Sequence, residues 1–152
     1  MFSSTAEYAL RSVVYLATHR EGLCNSQVIA AATKVPPGYI SKILKDLVEA
    51  GIILSRRGPS GGFELARDPD KMTVLDVVNA ADPIRRIVTC PLGIPSHGTN
   101  LCRLHRKLDN AIAMVEKALA SSTIQEMVEP QSGGKCTFPT VSAKRTPPKA
   151  SR

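Results

Sequence analysis

The chain has 152 residues, no tryptophan, 4% aromatic residues and a net charge of +7. This is enough for one domain with extensions and an aliphatic core. Five basic residues and no acid (Lys135, Lys144, Arg145, Lys149 and Arg152) follow Glu129, which leaves the body at only +2 and excludes a uniformly basic nucleic-acid binder. No stretch is apolar for long enough to span a bilayer.

Met1 to Thr18 reads as an amphipathic helix carrying Glu7 and Arg11, capped by Ser3 or Ser4 and running to about His19. Tyr8, Ala9, Val13, Leu16 and Ala17 share its apolar side. Such a start is not a secretory signal, so a cytoplasmic location is expected. There the four cysteines, Cys24, Cys90, Cys102 and Cys136, serve as thiols or metal ligands rather than disulfides.

Gln27 to Lys34 is a short helix with Val28, Ile29 and Ala32 on one side and Asn25 or Ser26 as its cap. Pro36-Pro37 breaks the chain, and the second proline suits the first turn of a new helix. That helix runs from Pro37 to about Ala50. Ile40, Ile43, Leu44, Leu47 and Val48 form its buried stripe, and Gly51 stands where a left-handed cap belongs. Tyr39, Ser41, Lys42, Lys45, Asp46 and Glu49 lie opposite. In an ordinary amphipathic helix that face is simply solvated. A short helix before it, a tight turn and a hairpin after it favour a helix-turn-helix that reads DNA.

The hairpin is Ile52 to Arg67. Ile53 and Ser55 alternate on the way up, and Phe63 and Leu65 on the way down. Gly58-Pro59-Ser60-Gly61-Gly62 connects them, and the glycines allow close approach to a phosphate. Arg56 and Arg57 at the tip are suited to phosphates or a narrow minor groove. The DNA-contact set is therefore Gln27, Tyr39, Ser41, Lys42, Lys45, Arg56, Arg57, Gly58, Gly61 and Gly62.

Thr73 to Ala80 is a short helix with Thr73 as cap and Asp76 at the capping-box position. Arg85 to Asn100 is a long loop with Cys90 and His97, and a loop of this length in a compact domain is functional or disordered. Leu101 to about Ala120 is the longest helix. Leu101, Leu104, Leu108, Ile112, Val115 and Leu119 make an apolar seam for a partner helix, which a second copy of the chain is expected to supply. A short helix over Thr123 to Val128 follows, and the basic tail beyond Pro130 lacks the apolar content to order itself. The expected organisation is a winged helix-turn-helix over 1–82, a sensor loop over 83–100, a dimerisation region over 101–129 and a disordered tail over 130–152.

Cys102 and His105 sit three apart on one helix face, and Cys90 lies on the loop leading into it. Thiolates with an imidazole suit zinc or an iron–sulfur cluster equally, and two unligated thiols beside a surface histidine fit the spacing as well.

Several stretches carry a family resemblance. They are Met1-Phe-Ser-Ser-Thr-Ala-Glu-Tyr-Ala-Leu-Arg11, Pro37-Gly-Tyr-Ile-Ser-Lys-Ile-Leu44, Leu47-Val-Glu-Ala-Gly-Ile52, Thr73-Val-Leu-Asp-Val-Val78 and, most specific, Arg57-Gly-Pro-Ser-Gly-Gly-Phe63. Over about residues 1 to 120 the chain resembles the Rrf family of winged-helix transcription regulators, which includes the iron–sulfur cluster biosynthesis regulator and the nitric-oxide-sensing repressor. The resemblance implies a mainly α fold with a two-stranded wing, a homodimer on double-stranded DNA and, in cluster-holding members, three evenly spaced cysteines. Their fourth ligand is a histidine one turn after the last cysteine, or an acid from the first helix of the other subunit. Cys90 matches the first cysteine, Cys102 the third, His105 the histidine and Glu7 the acid contributed across the dimer. The middle cysteine falls on Ser96, with His97 beside it as a substitute donor. A two-iron cluster on Cys90, Cys102, His105 and Glu7 is one expectation. A cluster-free regulator that senses thiol oxidation or a small molecule is the other. Remoter readings are a metal-binding interaction module without DNA binding, and a thiol enzyme using Cys90 and His105. No phosphate loop or oxyanion-hole motif accompanies that pair.

Overall fold

The computed structural model describes residues 2–97, 100–130 and 138. The expectation of a disordered tail, and Cys136, lie outside the described residues. Six helices and a two-stranded antiparallel hairpin make up the described chain: α1 (Ser4–Thr18), α2 (Ser26–Thr33), α3 (Pro37–Glu49), β1 (Ile53–Arg56), β2 (Gly62–Leu65), α4 (Val74–Ala81), α5 (Arg103–Ala120) and α6 (Ile124–Val128). This is the mainly α winged-helix architecture expected.

The starts of the helices follow from capping. Ser3 Oγ accepts from the Ala6 amide at 3.2 Å, and Asn25 Oδ1 accepts from the Val28 amide at 2.8 Å. Thr73 and Asp76 form a reciprocal capping box on α4, and Thr123 and Glu126 form another on α6. Each cap satisfies backbone donors that the first turn leaves without partners. α3 has no side-chain cap and instead begins on Pro37, whose fixed φ suits a first turn. Gly51 ends it at φ +67°, as the sequence implied. Lys34, expected as the last residue of the short helix, instead takes a left-handed φ of 55° and turns the chain toward Val35 and the prolines.

α1 is the centre of the body and packs against α2, α3, α4 and α6. Leu16, Ile29, Ile43, Leu44, Leu47, Met72, Val77 and Ile124 are fully buried around it. The two buried hydroxyls are satisfied locally: Ser12 donates to the Tyr8 carbonyl and Thr33 to the Ile29 carbonyl. α6 returns to this core. The Ile124 amide donates to the Met72 carbonyl at 2.8 Å, and the Val74 amide donates to the Ser122 carbonyl at 2.9 Å.

α5 contains no buried residue. Leu104 and Met114 are 61% and 73% exposed, and Leu108 and Val115 are exposed beside them. Only its C-terminal Leu119 packs against the core. A groove of ≈ 400 Å³ runs between this helix, the start of α1 and the end of α4, lined by Phe2, Ala6, Val78, Ile84, Ile112 and Val115.

Candidate DNA-reading face and metal centre

The recognition face is built on α3. The buried stripe of Ile40, Ile43, Leu44 and Leu47 fixes the helix rotationally, so Tyr39, Ser41, Lys42 and Lys45 point outward. Lys42 pairs with Asp46 one turn on, and Lys45 with Glu49 at 3.5 Å. Exposed pairs of this kind contribute little and exchange readily for a phosphate. The Tyr39 ring meets Tyr8 of α1 edge-on at 6.0 Å, which restricts its orientation. Gln27 is exposed on the first turn of α2, across a shallow groove that also includes Ser41.

The wing has the register Ile53↔Leu65, Leu54↔Glu64, Ser55↔Phe63 and Arg56↔Gly62. Its glycines divide by role. Gly58 has φ +114° and needs the freedom of glycine. At Gly61 a Cβ would lie 2.3 Å from the Arg56 carbonyl oxygen, so the tight turn itself excludes a side chain. Gly62 corrects the sequence expectation. It is buried, and a Cβ there would lie 2.8 Å from the Cys24 carbonyl oxygen. Its smallness admits the backbone of Cys24, which exchanges two hydrogen bonds with Phe63, at 2.8 and 3.0 Å. The segment before α2 thus braces the wing from below, and Gly62 is a packing residue rather than a phosphate contact. Arg56 and Arg57 are both exposed, but the Arg56 guanidinium is paired with Glu64 at 2.8 Å. Cys24 is half-buried, and burial pushes its thiol above the ordinary range.

The second constellation lies at the start of α5. Cys102 is the N-cap of the helix and His105 is one turn in. The His105 Nδ1 stands 3.2 Å from Cys102 Sγ and 3.5 Å from Cys90 Sγ. The ligand atoms of Cys90, Cys102 and His105 all lie within 4.8 Å of one another. Cys90 is buried and the other two are half-buried. The backbone N–H of His105 holds the Cys102 thiol below its ordinary range, against the opposing effect of burial, and a hydrogen bond with Cys90 adds to it. A thiol at a helix N-terminus is thereby readied to ligate as thiolate. The donor chemistry fits a metal: two soft thiolates and an imidazole suit zinc or iron.

Neighbouring residues complete the picture. His97, on the short 3-10 turn Pro95–His97, places Nδ1 3.3 Å from Cys90 Sγ. Ser96 is exposed. Glu7 is exposed on α1 and paired with Arg11 of its own helix. The sequence reading missed a clamp that holds the Cys90 loop to α5. Arg86 grips Asp109 through two bonds of 2.6 and 2.7 Å and reaches Glu116 at 3.3 Å. The Ile87 amide also donates to Asp109 at 2.9 Å. Arg86 and Asp109 lie far apart in sequence, and an arginine in a loop carries no pairing signal by itself.

A compact helical body, a helix-turn-helix and a hairpin wing define a winged-helix transcription regulator. The Rrf2 model, described as iron-dependent transcriptional regulator, matches residues 2–130, and the chain belongs to that family. A relative in Aquifex aeolicus, described as an HTH-type transcriptional regulator, is 30% identical over 131 residues, covering 84% of this chain and 91% of its own. Among solved structures, CymR, the global cysteine regulator of Bacillus subtilis, superposes with a TM-score of 0.67 at 24% identity, over 84% of this chain and 95% of its own. T. potens IscR does so with a TM-score of 0.68 at 23% identity, over 84% and 85%. Both bear on the fold. Among the described residues no helix is long and apolar enough to cross a membrane.

Proposed function

We propose that the protein is a homodimeric repressor whose hold on its operator is set by a metal centre, an iron–sulfur cluster or a single ion, on Cys90, Cys102 and His105. The observation that carries the reading is the convergence of those three donors at the foot of a long helix whose apolar side is uncovered. In this reading residues 1–82 read DNA, 83–100 sense, and α5 pairs with its twin across the groove at Phe2 and Val115. A two-fold dimer then sets two copies of α3 about one helical turn of DNA apart. Tyr39, Ser41, Lys42 and Lys45 meet bases and phosphates in the major groove, with Gln27, Arg57, Gly58 and Gly61 on the neighbouring backbone and Arg56 joining once it leaves Glu64.

The sensor acts mechanically. Cys90 and its loop are tied to α5 by Asp109, and Cys102 begins that helix. A metal that joins the two thiols stiffens the junction between the reading unit and the dimer helix. It alters DNA occupancy to the extent that it favours one separation of the recognition helices over another. In the two-iron version Glu7 of the partner subunit supplies the remaining ligand and must first leave Arg11.

The test selects duplexes from a random pool with anaerobically purified protein, before and after chelation. A dimeric solution mass, an enriched palindrome and a chelation-dependent affinity are expected. A monomer at micromolar concentration with no duplex preference overturns the proposal, and chelation without effect removes the metal from it.

A further inference from the structure

We infer that His97 completes a ligand set contained within one chain, Cys90, His97, Cys102 and His105, and that this set holds a single tetrahedral divalent ion, zinc or iron(II). The inference rests on the metal-centre reading above and narrows it.

Distances within the group set its size. With metal–sulfur bonds of about 2.3 Å and metal–nitrogen bonds of about 2.0–2.1 Å, the sulfur–nitrogen edge of a tetrahedron is about 3.5 Å. The three sulfur–nitrogen separations here are 3.2, 3.3 and 3.5 Å. A two-iron cluster divides its protein ligands between two metals, so donors on different irons stand farther apart than one such edge. Cys90, Cys102 and His105 instead share one compact volume.

His97 is also placed by its backbone. Its amide donates to the Ile94 carbonyl at 2.9 Å, and its carbonyl accepts from the Asn100 amide at 2.8 Å. Gly93, at φ +62°, turns the chain back and donates to the Cys90 carbonyl at 3.2 Å. The loop therefore folds His97 over Cys90, while Asp109 anchors the loop's other end. Ser96, exposed and a poor ligand for a soft ion, has no part in the set. Glu7, already occupied by Arg11, is not needed.

Reduced full-length protein is stripped of metal and titrated anaerobically with cobalt(II), then competed with zinc and with iron(II). Wild type is expected to bind a single cobalt per chain, with the intense visible bands of tetrahedral coordination and thiolate charge transfer. His97→Ala is expected to lose those bands and at least ~10-fold in affinity, the scale on which tuning of a metal site is felt. Glu7→Gln is expected to behave as wild type, and circular dichroism establishes that each variant is folded. Unchanged bands and affinity in His97→Ala overturn the inference and leave the metal-centre reading standing. So does reconstitution that deposits iron and sulfide in equal amounts in that variant. Failure of wild type to take up cobalt, zinc or iron overturns both.

Discussion

The reading unit and the dimer helix contrast sharply. In α3 four large side chains are buried, Leu47 at 0% exposure, whereas α5 is longer and buries nothing. The first is held by its own chain. The second is a strongly amphipathic helix whose apolar side has only Leu119 on the core. Isolated helices gain little from propensity and much from packing. The difference teaches that one half of the molecule is complete as folded, while the other is built for contact with something else.

Substitutions of the same kind in the two halves break or sharpen this contrast. Leu47→Ala should cost about 2–5 kcal/mol in a denaturant melt, because it opens a cavity in a sealed core. Leu104→Ala should change the stability of the isolated chain by no more than about 0.5 kcal/mol, as expected of a surface position. Its effect should appear in the concentration dependence of dimer dissociation. Equal losses of intrinsic stability at the two sites would remove the contrast.

The wing tests the reading unit itself. Gly62→Ala should destabilise by about 1–3 kcal/mol through a steric clash with the Cys24 backbone, and calorimetry would detect it without DNA. Arg57→Ala should leave stability alone and weaken operator binding by about 1–3 kcal/mol in a titration at fixed salt. Arg56→Ala should weaken it less, since Arg56 gives up Glu64 to reach DNA. An Arg56 effect larger than that of Arg57 would reverse the assignment at the tip.

The smallest effect belongs to the clamp on α5. The Arg86 guanidinium holds the Asp109 carboxyl below the usual carboxylate range. A carboxyl depressed by folding contributes stability above its unfolded pKa and loses it as pH falls through the folded value. Thermal melts through the acid range, in chelator, should therefore show a steeper loss for wild type than for Asp109→Asn. The clamp is solvent-facing, so the difference is expected to be slight. Parallel profiles would mean that the pair holds nothing.

Much of the fold was legible because its signals are local. The stripe on α3, the Thr73–Asp76 capping box and Gly51 as a left-handed cap each depend on residues within a turn or two. The candidate metal donors were legible in part for the same reason: Cys102 and His105 share one helix face. The role of Gly62 was not, because it depends on Cys24, whose backbone arrives from before α2. Nor was the Asp109 clamp, which joins a loop to a helix more than twenty residues away.

The sequence by itself determined the order of helices, the wing and the apolar stripe on each helix, because periodicity and capping act between near neighbours. Tertiary structure alone decided that α6 closes the core, that the stripe on α5 stays uncovered, and that Cys90 and His97 meet across the loop beside Cys102 and His105. Those outcomes depend on which distant surfaces pack together, and no spacing along the chain encodes that choice.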